Sequence, residues 1–107
     1  HLDVKIHNVL VDRRLEGGWA ARLCDLGSAC RAGPGRPPPP AGGTAGWTAP
    51  EILDPPPTGP AADARSADVF SFGVLVWAVL SGPGGENPLC GLVGYDYCKD
   101  VVQGRRP

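Results

Sequence analysis

The amino-acid sequence predicts an α+β fold in which a short β-hairpin precedes a long loop and a buried central helix. Two short strand-forming runs, Val9–Val11 and Trp19–Cys24, flank a segment that ends in Gly17-Gly18, as a hairpin loop requires. Residues 27–46 are dominated by glycine, proline and alanine, so they predict a loop. An almost wholly apolar segment then ends near residue 80, just before a glycine and a proline, and predicts a helix.

The central helix is predicted over residues 68–80. Ser66 or Asp68 can cap its start, because their side chains accept hydrogen bonds from free backbone N–H groups. Apolar side chains occupy nearly all faces of this helix, and such a helix belongs in the middle of a core. A further short helix is predicted over residues 95–103.

Composition excludes several classes of function. The 107 residues fit one small domain, and 10 Lys+Arg against 11 Asp+Glu predict no nucleic-acid binding. The longest apolar run, Val74–Leu80, is far shorter than the roughly 18 residues of a membrane span. The chain opens on a polar motif with no apolar leader. Its four cysteines lack metal-binding spacing, so we expect reduced thiols and a cytoplasmic location.

The first motif that carries chemistry is His-x-Asp-x-Lys-x-x-Asn, which spans residues 1–8. Asp3 can accept a hydroxyl proton, Lys5 can contact phosphate oxygens, and the Asn8 side-chain carbonyl can bind Mg²⁺. These are the groups that phosphoryl transfer needs, since it depends on positioning and charge neutralisation. Followed at once by a strand, the motif resembles the catalytic loop of protein kinases. The alternative is a polar turn before a strand.

The second motif is Asp25-Leu26-Gly27, which begins seventeen residues after Asn8, at the end of the second strand. It resembles the Asp-Phe-Gly element of kinases, with leucine in place of phenylalanine. The resemblance implies that Asp25 holds Mg²⁺ against the β- and γ-phosphates of ATP. Taken alone, the tripeptide is a common turn.

The third motif covers residues 43–51 and resembles the Gly-Thr…Ala-Pro-Glu sequence that closes a kinase activation segment. The resemblance implies that the Thr44 hydroxyl bonds the catalytic Asp and Lys, and that Glu51 pairs with a buried Arg. The alternative is a surface turn rich in glycine and proline. The fourth motif, Asp68–Val74, resembles the start of the central C-lobe helix, where Asp68 accepts backbone N–H bonds from the catalytic loop.

Together the four motifs resemble a partial protein kinase domain that spans residues 1–107. Its parts would be a catalytic loop (1–8), a metal-binding element (25–27), an activation segment (25–51) and the central helix, all in the C-lobe. The resemblance implies ATP, Mg²⁺, a protein substrate and structural roles for His1, Gly27, Glu51 and Asp68. Lys5 indicates serine/threonine acceptors. Residues 66–77 are most similar to the tyrosine-kinase-like group, which includes receptor-interacting, Raf and mixed-lineage kinases; Mos-like kinases share the opening residues.

Two departures from the kinase pattern matter for regulation and activity. Leu2 stands where many kinases have an arginine that binds a loop phosphate, and the hydroxyls of residues 25–51 are Ser28, Thr44 and Thr48. We therefore expect no activation by loop phosphorylation. The chain has no Gly-rich loop or phosphate-pairing lysine of an N-lobe, so we expect it to need that N-lobe as a partner.

Other readings of the sequence stay open. A pseudokinase scaffold would keep the fold without activity. A small-molecule phosphotransferase would share the first motif, although such enzymes lack the third. Residues 37–40 form a proline run that could dock an SH3 domain, but a flexible loop insert is the simpler interpretation.

Overall fold

The computed structural model describes residues 1–33, 43–55, 57, 62–82 and 95–104. The proline run at residues 37–40 lies outside these ranges, as do Cys90 and the side chain of Cys98; Cys24 and Cys30 carry free thiols. A 3-10 turn, Ile6–Asn8, precedes the first strand. The remaining elements, in chain order, are β1 (Val9–Arg13), β2 (Trp19–Leu23), α1 (Pro50–Leu53), α2 (Ala64–Leu80) and α3 (Tyr95–Val102).

Strands β1 and β2 form the predicted hairpin. They pair antiparallel, from Val9 opposite Leu23 to Arg13 opposite Trp19. The loop needs the glycine pair, because Gly17 and Gly18 have φ angles of 91° and 83°, in the left-handed region that favours glycine.

Helix α2 begins earlier than the sequence predicted. Its cap is Asp63, whose carboxylate accepts a hydrogen bond from the Arg65 backbone N–H, so the prediction of Ser66 or Asp68 as the cap is wrong. Asp68 lies inside the helix, and its carboxylate bonds a different part of the chain. The helix ends at Leu80, as predicted.

Described residues bury only one face of the central helix, which the sequence predicted to lie in the middle of a larger core. One face of α2 is buried, whereas Val69, Phe72 and Val79 are 71%, 57% and 61% exposed. Described residues cover this outer face only in part. Between it and the hairpin lies an apolar groove of about 500 Å³. Its lining includes Ile6, Val9, Val11, Phe72, Val76 and Val79.

Two apolar clusters attach the first motif to the inner face of α2. In the first, Leu2 packs with three alanines, Ala49, Ala64 and Ala67. In the second, Val4 and Trp47 pack with two α2 residues, Val74 and Leu75. The segment around residues 44–49 therefore lies against the same helix face as residues 1–8. Helix α3 packs against α1, and no described helix is long and apolar enough to cross a membrane.

Candidate active site

The Asp3 carboxylate is the centre of a network of side chains. Lys5 Nζ donates to Asp3 Oδ2 at 2.8 Å, and the Thr44 hydroxyl donates to Asp3 Oδ1 at 2.7 Å. Lys5 Nζ also donates to the Thr44 hydroxyl oxygen at 2.7 Å, which closes a triangle of three groups. Asn8 Nδ2 donates to Asp3 Oδ2 and to the Asp3 backbone carbonyl, each at 2.9 Å. A residue 41 positions away in the chain is thus joined directly to residues 3–8.

Local backbone structure places these groups. Leu2 and Val4 are buried against α2, at 8% and 4% exposure, and they anchor the segment on either side of Asp3. The 3-10 turn then folds the chain back, with the Asn8 N–H bonded to the Lys5 carbonyl at 3.0 Å. This turn brings the Asn8 amide to Asp3. Asn8 itself is buried at 6% exposure, and its amide nitrogen has two acceptors, as a buried amide requires.

The electrostatics of the network keep Asp3 ionised. Burial alone would raise the pKa of Asp3, but hydrogen bonds from Lys5, Thr44 and Asn8, together with the Lys5 charge, more than offset it. The pKa of Asp3 is therefore lowered from its ordinary value. At neutral pH the site contains a carboxylate and an ammonium group in contact, with side-chain exposures of 11% and 18%.

Asp68 holds the start of the motif. Its Oδ1 accepts the Leu2 backbone N–H at 2.7 Å, and its Oδ2 lies 2.7 Å from the His1 backbone nitrogen. Leu2 has a φ of 65°, a left-handed conformation that is unfavourable for a residue with a bulky side chain. The two bonds to Asp68 and the burial of Leu2 stabilise that conformation. His1 Nε2 lies 3.1 Å from the Cys24 carbonyl oxygen, which ties the same turn to the end of β2.

Asp25 lies two residues after the end of β2 and is exposed, with a φ of 60°. Its Oδ1 accepts the Gly27 N–H at 3.2 Å, and it makes no hydrogen bond to Asp3, Lys5 or Asn8. The predicted metal ligands Asn8 and Asp25 are therefore not bonded to each other.

The oxygen donors at these two positions suit Mg²⁺, which takes oxygen ligands and keeps several waters or phosphate oxygens beside a few protein groups. With Asn8 Nδ2 turned towards Asp3, its Oδ1 is the atom left for a metal. Among the described residues, no group of three or more His, Cys, Asp or Glu residues could hold a metal ion. The residues present thus fit a metal that is shared with a phosphate ligand.

The two remaining predicted residues have structural surroundings of different kinds. A Cβ at Gly27 would lie 3.1 Å from Asp25 Oδ1, so a side chain there would crowd the carboxylate. Glu51 lies half-buried in the first turn of α1, and no described residue forms an ion pair with it. Its predicted pairing with a buried arginine therefore stays a prediction.

Comparison with known families identifies the site. Residues 1–91 match the model of the protein kinase domain. The chain belongs to the protein kinase family. All four motifs, which provide the Asp3 network, Asp25 and Asp68, fall within the matched residues of this kinase chain.

The relatives of this kinase support its predicted group. The chain is 39% identical over 87 residues to receptor-interacting serine/threonine-protein kinase 3 of Rattus norvegicus, which covers 77% of the chain and 16% of the relative. It is 37% identical over 92 residues to serine/threonine-protein kinase CTR1 of Arabidopsis thaliana, which covers 82% of the chain and 10% of the relative. It is 39% identical over 83 residues to human dual specificity mitogen-activated protein kinase kinase 7, which covers 77% of the chain and 19% of the relative.

The chain spans less than a fifth of the length of these curated relatives. The first two relatives belong to the tyrosine-kinase-like group of serine/threonine kinases, so the predicted resemblance is confirmed. No solved structure matches the chain.

Three residues with clear roles in this kinase site were missed by sequence reasoning. Leu2 was read only as a missing cation, although it is a core residue of the first cluster. Thr48 is buried and donates to the Thr44 carbonyl at 3.0 Å, and Ser71 donates to the Trp47 carbonyl at 2.8 Å. Nothing in the local sequence distinguishes these two hydroxyls from others, because their acceptors are backbone carbonyls that only the fold locates.

Proposed function

We propose that residues 1–107 are the catalytic-loop and activation-segment part of the C-lobe of a serine/threonine protein kinase. The reaction would transfer the γ-phosphate of ATP to a protein hydroxyl. One observation carries the proposal: the Asp3 carboxylate is bound at once by Lys5, Thr44 and Asn8. A polar turn before a strand needs no such arrangement with a residue 41 positions away.

In this proposal Asp3 orients the acceptor hydroxyl and takes its proton. The hydroxyl oxygen forms a bond to the γ-phosphorus while the bond from phosphorus to the β,γ-bridging oxygen breaks, which leaves ADP. Because the transition state of phosphoryl transfer is loose, orientation of the nucleophile matters more than strong basicity. A lowered pKa of Asp3 is compatible with this role, since it keeps the carboxylate ionised and able to accept a hydrogen bond.

Lys5 provides the positive charge of the site. Its ammonium group is fixed by Asp3 and Thr44, so its charge is already in position when phosphate oxygens approach. Asn8 and Asp25 would hold Mg²⁺, which neutralises phosphate charge when it is bound. The Asn8 side chain also connects the proposed metal site to Asp3, because its amide nitrogen donates to the Asp3 carboxylate while its carbonyl oxygen is left for the metal.

Several parts of the proposal go beyond the kinase family itself. Serine or threonine as the acceptor is inferred from Lys5, because tyrosine kinases usually lack a lysine at that position. One relative is named a dual specificity kinase, so tyrosine is an acceptor to test. Completion of the ATP site by an N-lobe, absence of nucleic-acid binding and a cytoplasmic location stay predictions. A pseudokinase scaffold is the alternative if no phosphoryl transfer is found.

The test is the substitution Asp3→Asn in a complete kinase domain that contains these residues. We expect kcat to fall by about 10²- to 10⁴-fold, the range for loss of a general base. The measurement is phosphate transfer to a serine/threonine peptide library, with folding checked by circular dichroism. Asp12→Asn is the matched control, because Asp12 is exposed on β1 and bonds only its neighbour's N–H.

Near-normal transfer by a folded Asp3→Asn protein would exclude the proposed function. Absence of transfer by the folded wild-type domain with ATP, Mg²⁺ and the full peptide set would favour the scaffold alternative. Transfer to small molecules in place of peptides would favour a small-molecule phosphotransferase.

A further inference from the structure

The carbonyl oxygen of Thr44 accepts two hydrogen bonds. One comes from the Trp47 backbone N–H at 3.0 Å and closes a tight turn over residues 44–47. The other comes from the Thr48 hydroxyl, also at 3.0 Å. A backbone carbonyl has two lone pairs, so these bonds use its full capacity. The peptide plane that follows Thr44 is thereby fixed from two directions.

Fixing this peptide plane matters because of what the Thr44 side chain contacts. Its hydroxyl must lie 2.7 Å from both Asp3 Oδ1 and Lys5 Nζ. Threonine is β-branched and its χ1 angle is stiff, so the backbone position largely decides where the hydroxyl lies. A shift of the Thr44 backbone, which the two bonds to its carbonyl oxygen oppose, would therefore move the hydroxyl away from one of its two partners.

Thr48 is itself held rigidly. It is buried at 7% exposure, and it follows Trp47, which is 5% exposed and packs against Val74 and Leu75 of α2. The Trp47 carbonyl accepts the Ser71 hydroxyl of the same helix at 2.8 Å. The Thr48 hydroxyl thus connects an element anchored on α2 to the residue that contacts the catalytic groups.

The backbone before Thr44 is folded closely around this hydroxyl. Gly43 has a φ of 102°, which only glycine adopts readily, and a Cβ at this position would overlap with Thr48 Oγ1. The space beside the Thr48 hydroxyl is therefore filled by the Gly43 backbone, and no larger residue at position 43 would allow the same arrangement.

From this geometry we propose that Thr48 is a positioning residue for phosphoryl transfer, which acts by holding the Thr44 carbonyl and hence the Thr44 hydroxyl between Asp3 and Lys5. The inference rests on the proposed kinase activity of the site. In this proposal Thr48 contacts neither substrate nor nucleotide. Its effect on phosphoryl transfer passes through Thr44, which distinguishes that effect from one of general packing.

The experiment compares Thr48→Val with Thr48→Ser in the complete kinase domain. Valine keeps the branched shape and removes the donor, and the Thr44 carbonyl keeps its bond from Trp47. We expect kcat to fall by about two- to tenfold, as for the loss of one neutral hydrogen bond, with the KM for ATP unchanged. Serine keeps the hydroxyl, so its kcat should stay within about twofold of wild type. The methyl group that replaces the hydroxyl in Thr48→Val would lie beside Gly43. If this group prevents folding, Thr48→Ala repeats the test, because alanine removes the donor without placing a methyl group there.

A double-mutant cycle with Thr44→Val decides whether Thr48 acts through Thr44. Single-turnover assays of the residual transfer should show no further loss when Thr48→Val is added to Thr44→Val. Independent, multiplicative losses, an equal loss in Thr48→Ser, or a wild-type kcat in Thr48→Val would each overturn the inference. The Asp3→Asn variant keeps the two questions apart: if it loses transfer while Thr48→Val does not, the proposed function stands and the role of Thr48 does not.

Discussion

Leu2 gives the sharpest test of how residues 25–51, the proposed activation segment, are held in this protein. Its side chain is 8% exposed and packs with Ala49, and two half-buried residues of the activation segment, Cys30 and Ala32, pack against the same cluster. Leu2 thus belongs to an apolar cluster that joins residues 30–32 to Ala49, at a position where many kinases place a phosphate-binding arginine. The substitution Leu2→Ala removes those contacts and keeps the backbone able to adopt its observed conformation.

The magnitude follows from burial and from the neighbours. Leucine-to-alanine changes in cores cost about 2–5 kcal/mol, with the higher values where the surroundings cannot collapse. Here half-buried Ile52 and Phe70 can move into the space, so we take the lower end, about 2 kcal/mol. The left-handed φ of residue 2 is equally unfavourable for leucine and alanine, so it cancels. About 2 kcal/mol corresponds to roughly 30-fold more opening of the segment.

Limited trypsin digestion measures this opening, because Arg31 is exposed and lies between the two residues that pack on the cluster. Cleavage after Arg31 should be about 30-fold faster in Leu2→Ala than in wild type, if cleavage follows the open population. Leu2→Met conserves the volume and should change the rate little. Leu15→Ala is the matched control, since Leu15 is fully exposed in the hairpin loop. Cleavage of Leu2→Ala at the wild-type rate would refute the assignment of Leu2 as the contact that orders the segment.

Two further predictions concern pH and phosphorylation. The pKa of Asp3 is lowered, so the stabilisation from its network is complete above the ordinary pKa of an unfolded aspartate, about 4, and is lost as the pH falls through the lower native value. The urea midpoint of unfolding should therefore fall more steeply on acidification in wild type than in Asp3→Asn. An equal acid dependence of the two proteins would contradict this prediction. Phosphatase treatment should change kinase activity little, because the Thr44 and Thr48 hydroxyls already donate hydrogen bonds within the protein. Ser28 is then the one remaining hydroxyl of residues 25–51 that could be phosphorylated. A large loss of activity, traced by mass spectrometry to removal of a Ser28 phosphate, would show that phosphorylation regulates this segment.

Features set by local sequence could be predicted. Two strand-forming runs flank the glycine pair at the hairpin tip, and both glycines have positive φ angles, so the hairpin itself could be predicted. The resemblance of residues 43–51 to a known family implied the long-range contact of Thr44 with Asp3 and Lys5, and the two hydrogen bonds are present. The bonds of Lys5 and Asn8 to Asp3 were not predicted, because the sequence assigned these side chains to phosphate and metal.

Features set by competition between similar residues could not be predicted. Three residues that can cap a helix, Asp63, Ser66 and Asp68, lie within six positions, and propensity does not choose among them. The fold chooses Asp63, since the Asp68 carboxylate is used by the His1–Leu2 backbone. The short helix α1 was missed because a four-residue element that begins at a proline has almost no periodicity to detect.

The small residues on the inner face of α2 limit which substitutions this protein can accept. Ala64, Ala67 and Ser71 recur at spacings of three and four along the helix, and all are buried at 6% exposure or less. Ala64 and Ala67 pack with Leu2, and their small size lets the backbone of residues 1–2 approach closely enough for the short Asp68 side chain to reach it. A larger side chain at either alanine would act as a spacer that pushes residues 1–2 outward. Natural sequences that keep this geometry should therefore tolerate exchange among alanine, serine and glycine at positions 64 and 67 and keep a hydroxyl at position 71, where Ser71 donates to the Trp47 carbonyl, while the exposed face of the same helix is free of that steric limit.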